Sequence, residues 1–96
     1  MSTKKFSTHP GIILREEFFE PLGITQLAAA KATGIPQSRL SEILAGRRSI
    51  TADTAARLGR LFGVDPRNWL NLQTTYDLRT FEADHRHELA RIKQVA

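Results

Sequence analysis

Apolar residues recur along this chain at three- and four-residue steps, in short runs broken by glycine and proline, and the pattern predicts helices throughout. Pro10 opens a first helix, which Pro21 and Gly23 close. Leu14 and Phe18 are its expected core pair at i, i+4, with Glu16, Glu17 and Glu20 on the opposite face. Residues 25–50, TQLAAAKATGIPQSRLSEILAGRRSI, read as two short helices folded back on each other across a glycine. Thr25 caps the first of these, while Leu27 and Ala30 face the core and Ala30 marks a close approach between the two. Gly34 enters a left-handed turn without a Cβ penalty, Ile35 points inward, and Pro36 sets a φ suited to the next helix start. Leu40, Ile43 and Leu44 form the following inner stripe, leaving Gln37, Ser38, Ser41 and Glu42 on the other side. Gly46 ends that helix, and Arg47 and Arg48 follow directly.

The same punctuation continues downstream. Thr51 caps a fourth helix with Asp53 in its positive first turn, and Ala55, Leu58, Leu61 and Phe62 give its inner stripe. Val64, Asp65 and Pro66 then supply an apolar residue, an acidic cap and a proline at the first helical position. Trp69 completes a hydrophobic staple, and a fifth helix continues through Leu70, Leu72 and Tyr76. Leu78, Phe81, His85, Leu89, Ile92 and Ala96 predict one further amphipathic helix over residues 77–96. Strand signals are absent. The expected architecture is all-α: a compact unit of five helices with an additional C-terminal helix. Residues 1–8 are expected to be a loose arm and 9–78 the domain. Residues 79–96 would form a helix that packs on its own domain, pairs with a second copy or lies against another protein.

A glycine-hinged helix pair followed by a basic turn is the helix-turn-helix pattern, in which one helix braces the DNA backbone and the next lies in the major groove. Charge distribution agrees with it. The chain carries a formal net charge of +4, and residues 25–60 hold Lys31, Arg39, Arg47, Arg48, Arg57 and Arg60 against only Glu42 and Asp53. The flanking segments each balance, so the whole surplus falls in and beside the proposed reading unit, where a concentrated patch attracts phosphates most strongly.

Other chemistries find little support. The 96 residues contain no cysteine, which excludes disulfides, thiolate metal sites and a cysteine nucleophile. No apolar run approaches the roughly 18–20 residues of a membrane span, and the opening MSTKKFST lacks the apolar stretch of a signal peptide, so a cytoplasmic protein is expected. Glu16 and Glu20 read as part of an ordinary acidic face. His85 and His87 stand two apart and would point in different directions on a helix, a poor grip for a metal. His9, ahead of Pro10, is expected to cap or pack. No glycine-rich phosphate loop occurs. The expectation is a non-enzyme without metal or cofactor.

Three blocks carry a family resemblance: HPGIILREEFFEPLGIT at 9–25, ILAGRRSIT at 43–51 within the helix-turn-helix, and AARLGRLFGVDPRNWLNLQTTYDL at 55–78. Together they resemble the HigA-type antitoxins of toxin–antitoxin modules, within the larger group of phage-repressor-like helix-turn-helix proteins. Ile12 departs from the glutamate that often follows Pro-Gly there, and Pro36 stands where a serine cap is common. The resemblance implies a dimeric repressor of its own operon that binds a palindromic double-stranded operator. It also implies a small basic toxin partner that cuts messenger RNA on the ribosome. The alternative is a stand-alone regulator with the same DNA chemistry and no toxin.

Carried onto matching positions, the resemblance places Gln26 on a phosphate and Gln37, Ser38, Arg39, Ser41 and Glu42 towards base edges. Gln37 suits adenine, Glu42 a cytosine amino group, and Arg39 either a guanine or a phosphate. Arg47 and Arg48 are expected on phosphates beyond the helix, fixing register without reading sequence. Finally, Ile13 is expected to lie among Glu16, Glu17 and Glu20, with Ile12 and Phe19 beside that face, as an apolar island suited to a basic partner.

Overall fold

The computed structural model describes residues 8–96, and these are helical with no strand. The expected arm at residues 1–8 therefore lies, Thr8 apart, outside the described residues. Helix α1 covers residues 10–22, α2 Gln26–Thr33, α3 Gln37–Leu44, α4 Ala52–Phe62, α5 Arg67–Asp84 and α6 Arg86–Ala90. Helices α2, α3 and α4 pack together on one side, and α1 closes the core against α3 and α5. Leu14, Ile35, Leu40, Ile43, Leu44, Ile50, Ala55, Leu58 and Trp69 make the centre of that core, each at most 2% exposed. Fully burying a leucine or isoleucine contributes about 1.5–3 kcal/mol, so the inner stripe of α3 alone is a major part of what holds the domain together.

The start of α1 follows from two residues. His9 caps it through Nδ1, which accepts the Gly11 N–H at 2.9 Å, as its place before Pro10 suggests. Gly11 is pressed against α3: a Cβ there would stand 1.7 Å from the Ile43 carbonyl oxygen, so only glycine lets the two helices meet.

The middle of α1 departs from the expected register. Arg15–Phe19 form a π-helical turn, closed by the Glu20 N–H donating to the Arg15 carbonyl five residues back. The extra residue puts Leu14 and Phe19, five apart, on one buried face at 0% and 4% exposure, while Phe18 is half-buried beside them. Both phenylalanines then meet Phe62, at 5.2 and 5.5 Å between ring centroids, and Phe18 also meets Trp69. Pro21 supplies a physical reason. In a regular helix its ring would collide with the Glu17 carbonyl, and the widened turn lies just before it. This register removes the expected apolar island on the acidic face, because Ile13 (7% exposed) and Phe19 belong to the core.

In α2 the phase also differs from the expected one. Leu27 is 50% exposed, and the inward residues are Ala29 and Ala30. Gln26, Ala29, Ala30 and Thr33 form the stripe, because the helix must approach both α3 and α4 and only small residues fit between them.

The C-terminal third is corrected as well. Asp65 accepts the Arg67 N–H at 2.9 Å ahead of α5, but the helix begins at Arg67, one residue later than expected, so Pro66 and not Asp65 holds the cap position. It then runs unbroken to Asp84. Residues 77–96 are therefore not one helix: the first eight complete α5, His85 breaks the chain direction with φ −121°, α6 is short, and residues 91–96 are not helical. The His85 ring stacks on Phe81 at 3.9 Å and bonds the Phe81 carbonyl, a local arrangement that competes with the next helical turn. The outer end of α5 projects from the body, giving extents of 50 × 25 × 23 Å.

Candidate nucleic-acid interface

The α2–turn–α3 unit is built by short-range bonds that its residue types make obligatory. Thr25 Oγ1 accepts the Ala28 N–H at 3.1 Å and starts α2. At the other end Gly34 adopts φ +79°, and its N–H donates to the Ala30 carbonyl. Thr33 stitches the turn: its hydroxyl donates to the Ala29 carbonyl at 2.7 Å and accepts the Ile35 N–H at 3.2 Å. Arg57 of α4 reaches across and donates to the Thr33 carbonyl at 2.8 Å, holding the end of α2. Pro36, with ψ 135°, turns the chain into α3 without offering a side-chain cap. The N–H groups of the first turn of α3 thus remain available to an outside acceptor.

Leu40, Ile43 and Leu44 fix how α3 is rolled, and that roll decides which residues face out. Gln37 and Ser38 are exposed, and Ser41 and Glu42 are half-buried on the same side one turn later. Arg39 is turned sideways towards α4, where its Nη2 lies 3.5 Å from an Asp53 carboxylate oxygen. The other Asp53 oxygen accepts Arg57 Nε at 2.9 Å, so one carboxylate links the reading helix to the residue that caps α2. That hydrogen bond from Arg57, with the added field of Arg39, holds the Asp53 carboxyl below the usual range. Gln26 is half-buried at the first position of α2.

Beyond α3 the chain makes a basic turn. Gly46 takes φ +79°, and Ile12, the departure noted in the first block, packs its Cδ1 3.1 Å from where a Gly46 Cβ would stand. The Arg47 N–H donates to the Glu42 carbonyl at 2.9 Å, and Arg48 Nε donates to Glu42 Oε1 at 2.8 Å. The exposed Arg47 side chain has no partner among the described residues. Of the six cations that carry the surplus charge, Arg39, Arg48 and Arg57 are thus tied to acids, while Lys31, Arg47 and Arg60 point to solvent.

Two supports were not foreseen. Arg15 of α1 donates from Nη1 to the Leu44 carbonyl at 3.3 Å, covering the C-terminal end of α3. Gln73 of α5 is 5% exposed; its Oε1 accepts the Ile50 N–H at 2.9 Å and its Nε2 donates to Asp77 at 2.9 Å. Gln73 therefore pins the far end of the arginine turn. The Arg15–Leu44 and Gln73–Ile50 contacts join residues 29 and 23 apart in sequence, and no local pattern announces them. Among the described residues no group of three or more histidines and carboxylates is arranged to hold a metal ion, and no helix is long and apolar enough to cross a membrane.

The sequence profile of the helix-turn-helix family matches residues 16–69. Virulence-associated protein I of Dichelobacter nodosus is 54% identical over 76 residues, covering 79% of this chain and 70% of that protein. Antitoxin HigA-1 of Vibrio cholerae is 38% identical over 76 residues, covering 79% of this chain and 71% of that one. Among solved structures, the Pseudomonas aeruginosa antitoxin HigA, determined with the higBA promoter, superposes with a TM-score of 0.88 at 35% identity, covering 94% of this chain and 99% of that one.

Proposed function

Since this chain belongs to the HigA-type antitoxins of the helix-turn-helix family, we propose that it represses its own operon as a dimer on a palindromic operator and neutralises a small basic toxin that cleaves messenger RNA on the ribosome. The observation that carries the DNA half of this reading is the outer side of α3. There an uncapped first turn, Gln37, Ser38 and Ser41 precede a turn bearing Arg47 and Arg48, on a frame whose inner face is fully buried. Gln37, Ser38, Arg39 and Ser41 read bases, with Arg39 delivered from the α4 side by Asp53. Gln26, Arg47 and Arg48 hold phosphates. Glu42 stands among them. No step of this function calls for catalysis, metal or cofactor, and its targets place the protein in the cytoplasm.

A second copy is seated by the outer half of α5, where Leu78 and Phe81 are 56% and 50% exposed. The two reading helices then lie about 34 Å apart, one turn of duplex. On the toxin side, α1 and α5 flank a groove of about 430 Å³ lined by Ile13, Phe18, Val64, Trp69 and Leu72 together with Glu17. The Glu17 carboxylate beside this apolar lining suits a basic protein, and the groove takes in Ile13 and Glu17 of the island expected on α1.

Gel-shift titration with the protein's own upstream DNA at two salt concentrations, with and without the product of the neighbouring gene, tests the whole reading. A shift that weakens steeply with salt and changes when a small basic ribonuclease is added is the expected result. No shift, or a shift indifferent to the upstream sequence, defeats it. Light scattering at micromolar concentration that reports a monomer defeats the dimer.

A further inference from the structure

Glu42 occupies a position expected to meet a base, yet in the free protein it faces the arginine turn. Its carbonyl takes the Arg47 N–H at 2.9 Å and its Oε1 takes Arg48 Nε at 2.8 Å. The two side chains are 44% and 52% exposed, and exposed ion pairs contribute little to stability. The geometric effect is larger. A guanidinium carries its five N–H groups in one plane, so engaging Nε fixes that plane and leaves the end-on pair, one N–H from each terminal nitrogen, free for another acceptor. Two parallel N–H groups match two oxygens of a phosphate. Restricting the arginine before contact also reduces the ordering cost at contact. A carboxylate on this face with no such task would only repel the DNA backbone.

We propose that Glu42 is a positioning residue that recognises no base itself and instead holds Arg48 so that its two terminal nitrogens clamp one backbone phosphate at the end of the reading helix. This rests on the DNA reading of α3 given above. It separates the two neighbouring arginines: Arg48 is aimed, whereas Arg47 reaches its phosphate by a side chain that nothing guides.

A double-mutant cycle tests it, using fluorescence anisotropy with the labelled upstream operator and the full chain carrying Glu42→Ala, Arg48→Ala, both, or Glu42→Gln. Glu42→Ala and Arg48→Ala should each weaken binding about threefold or more, and the double variant should be no weaker than Arg48→Ala alone. Glu42→Gln keeps an oxygen for Nε and should recover most of the loss. The loss from Glu42→Ala should also be the same across operators with single base-pair changes, since a phosphate clamp carries no sequence information. Additive losses, or a loss that vanishes at one substituted cytosine, would mean that Glu42 reads a base and overturn the proposal. Tighter binding by Glu42→Ala, as expected on removing an unemployed negative charge, would overturn it too. If the unsubstituted protein fails to bind the operator, the DNA reading falls first; operator binding with an additive cycle removes this inference alone.

Discussion

Replacing Gln73 by leucine isolates what the amide contributes, because the side chain is 5% exposed and leucine is close to it in size. Two hydrogen bonds disappear. Asp77 is on the surface and regains water, but the Ile50 N–H, whose bond to Oε1 is 2.9 Å long, is left buried without an acceptor. An orphaned buried donor costs about 1–3 kcal/mol, and the added apolar contact offsets only part of that. With a urea slope of about 1–3 kcal/mol per molar, the unfolding midpoint should fall by roughly 1 M with an unchanged slope. Gln73→Glu provides the control: it keeps the oxygen for Ile50 but places a second carboxylate beside Asp77, so its loss should shrink as salt is added, whereas that of Gln73→Leu should not. Urea denaturation followed by circular dichroism measures both. A Gln73→Leu midpoint within about 0.2 M of the unsubstituted protein would refute the view that Gln73 is the latch on the arginine turn.

Other outcomes follow from the same contacts. Gly11→Ala must push α1 off the Ile43 carbonyl, a displacement well over an ångström, and should lower stability by about 1–3 kcal/mol or more in urea titration. Burial holds the His9 pKa below its ordinary value near 6.5, against a smaller opposite pull from Asp77, so the neutral ring is favoured in the fold. That contribution is complete above pH 6.5 and is lost as the pH falls through the folded pKa. Thermal midpoints should therefore drop between pH 7.5 and 5.5 more for the native chain than for His9→Asn, whose amide oxygen can still cap Gly11. Asp53 and Asp65, lowered by their arginine partners, act in a separate window below about pH 4. Arg47→Ala should weaken operator binding by a similar factor on every sequence and reduce the slope of log affinity against log salt by about 0.9; a sequence-dependent loss would contradict a phosphate role.

Much of the fold could be read from local chemistry. Thr25 and Thr51 cap where a hydroxyl before an apolar stripe suggests, and Gly23, Gly34 and Gly63 end helices in the left-handed region. The inner stripe of α3 and the outward placing of Gln37 and Ser38 follow from a 3.6-residue period. Where reading failed, the cause was a partner far away in sequence. A period cannot tell Leu27 from Ala29 as the inward residue of α2, because that choice is made by the room between α3 and α4. The stacked pair at Phe81 and His85 keeps four-residue spacing, so a helix that breaks there still looks continuous. At the interface, the side chains facing out were legible from the roll of α3. Their restraints were not: Asp53 beside Arg39, Glu42 beside Arg48 and Gln73 beneath Ile50 are products of tertiary packing.

The widened turn in α1 changes how this chain must be aligned. A relative whose first helix is regular reaches the place of Phe19 with one residue fewer after its Leu14 equivalent. An alignment without a gap there would pair core positions with surface ones for the rest of that helix. Removing Glu17 alone, an exposed residue of that turn, would for the same reason leave Leu14 and Phe19 four apart, the spacing that keeps two residues on one face of a regular helix.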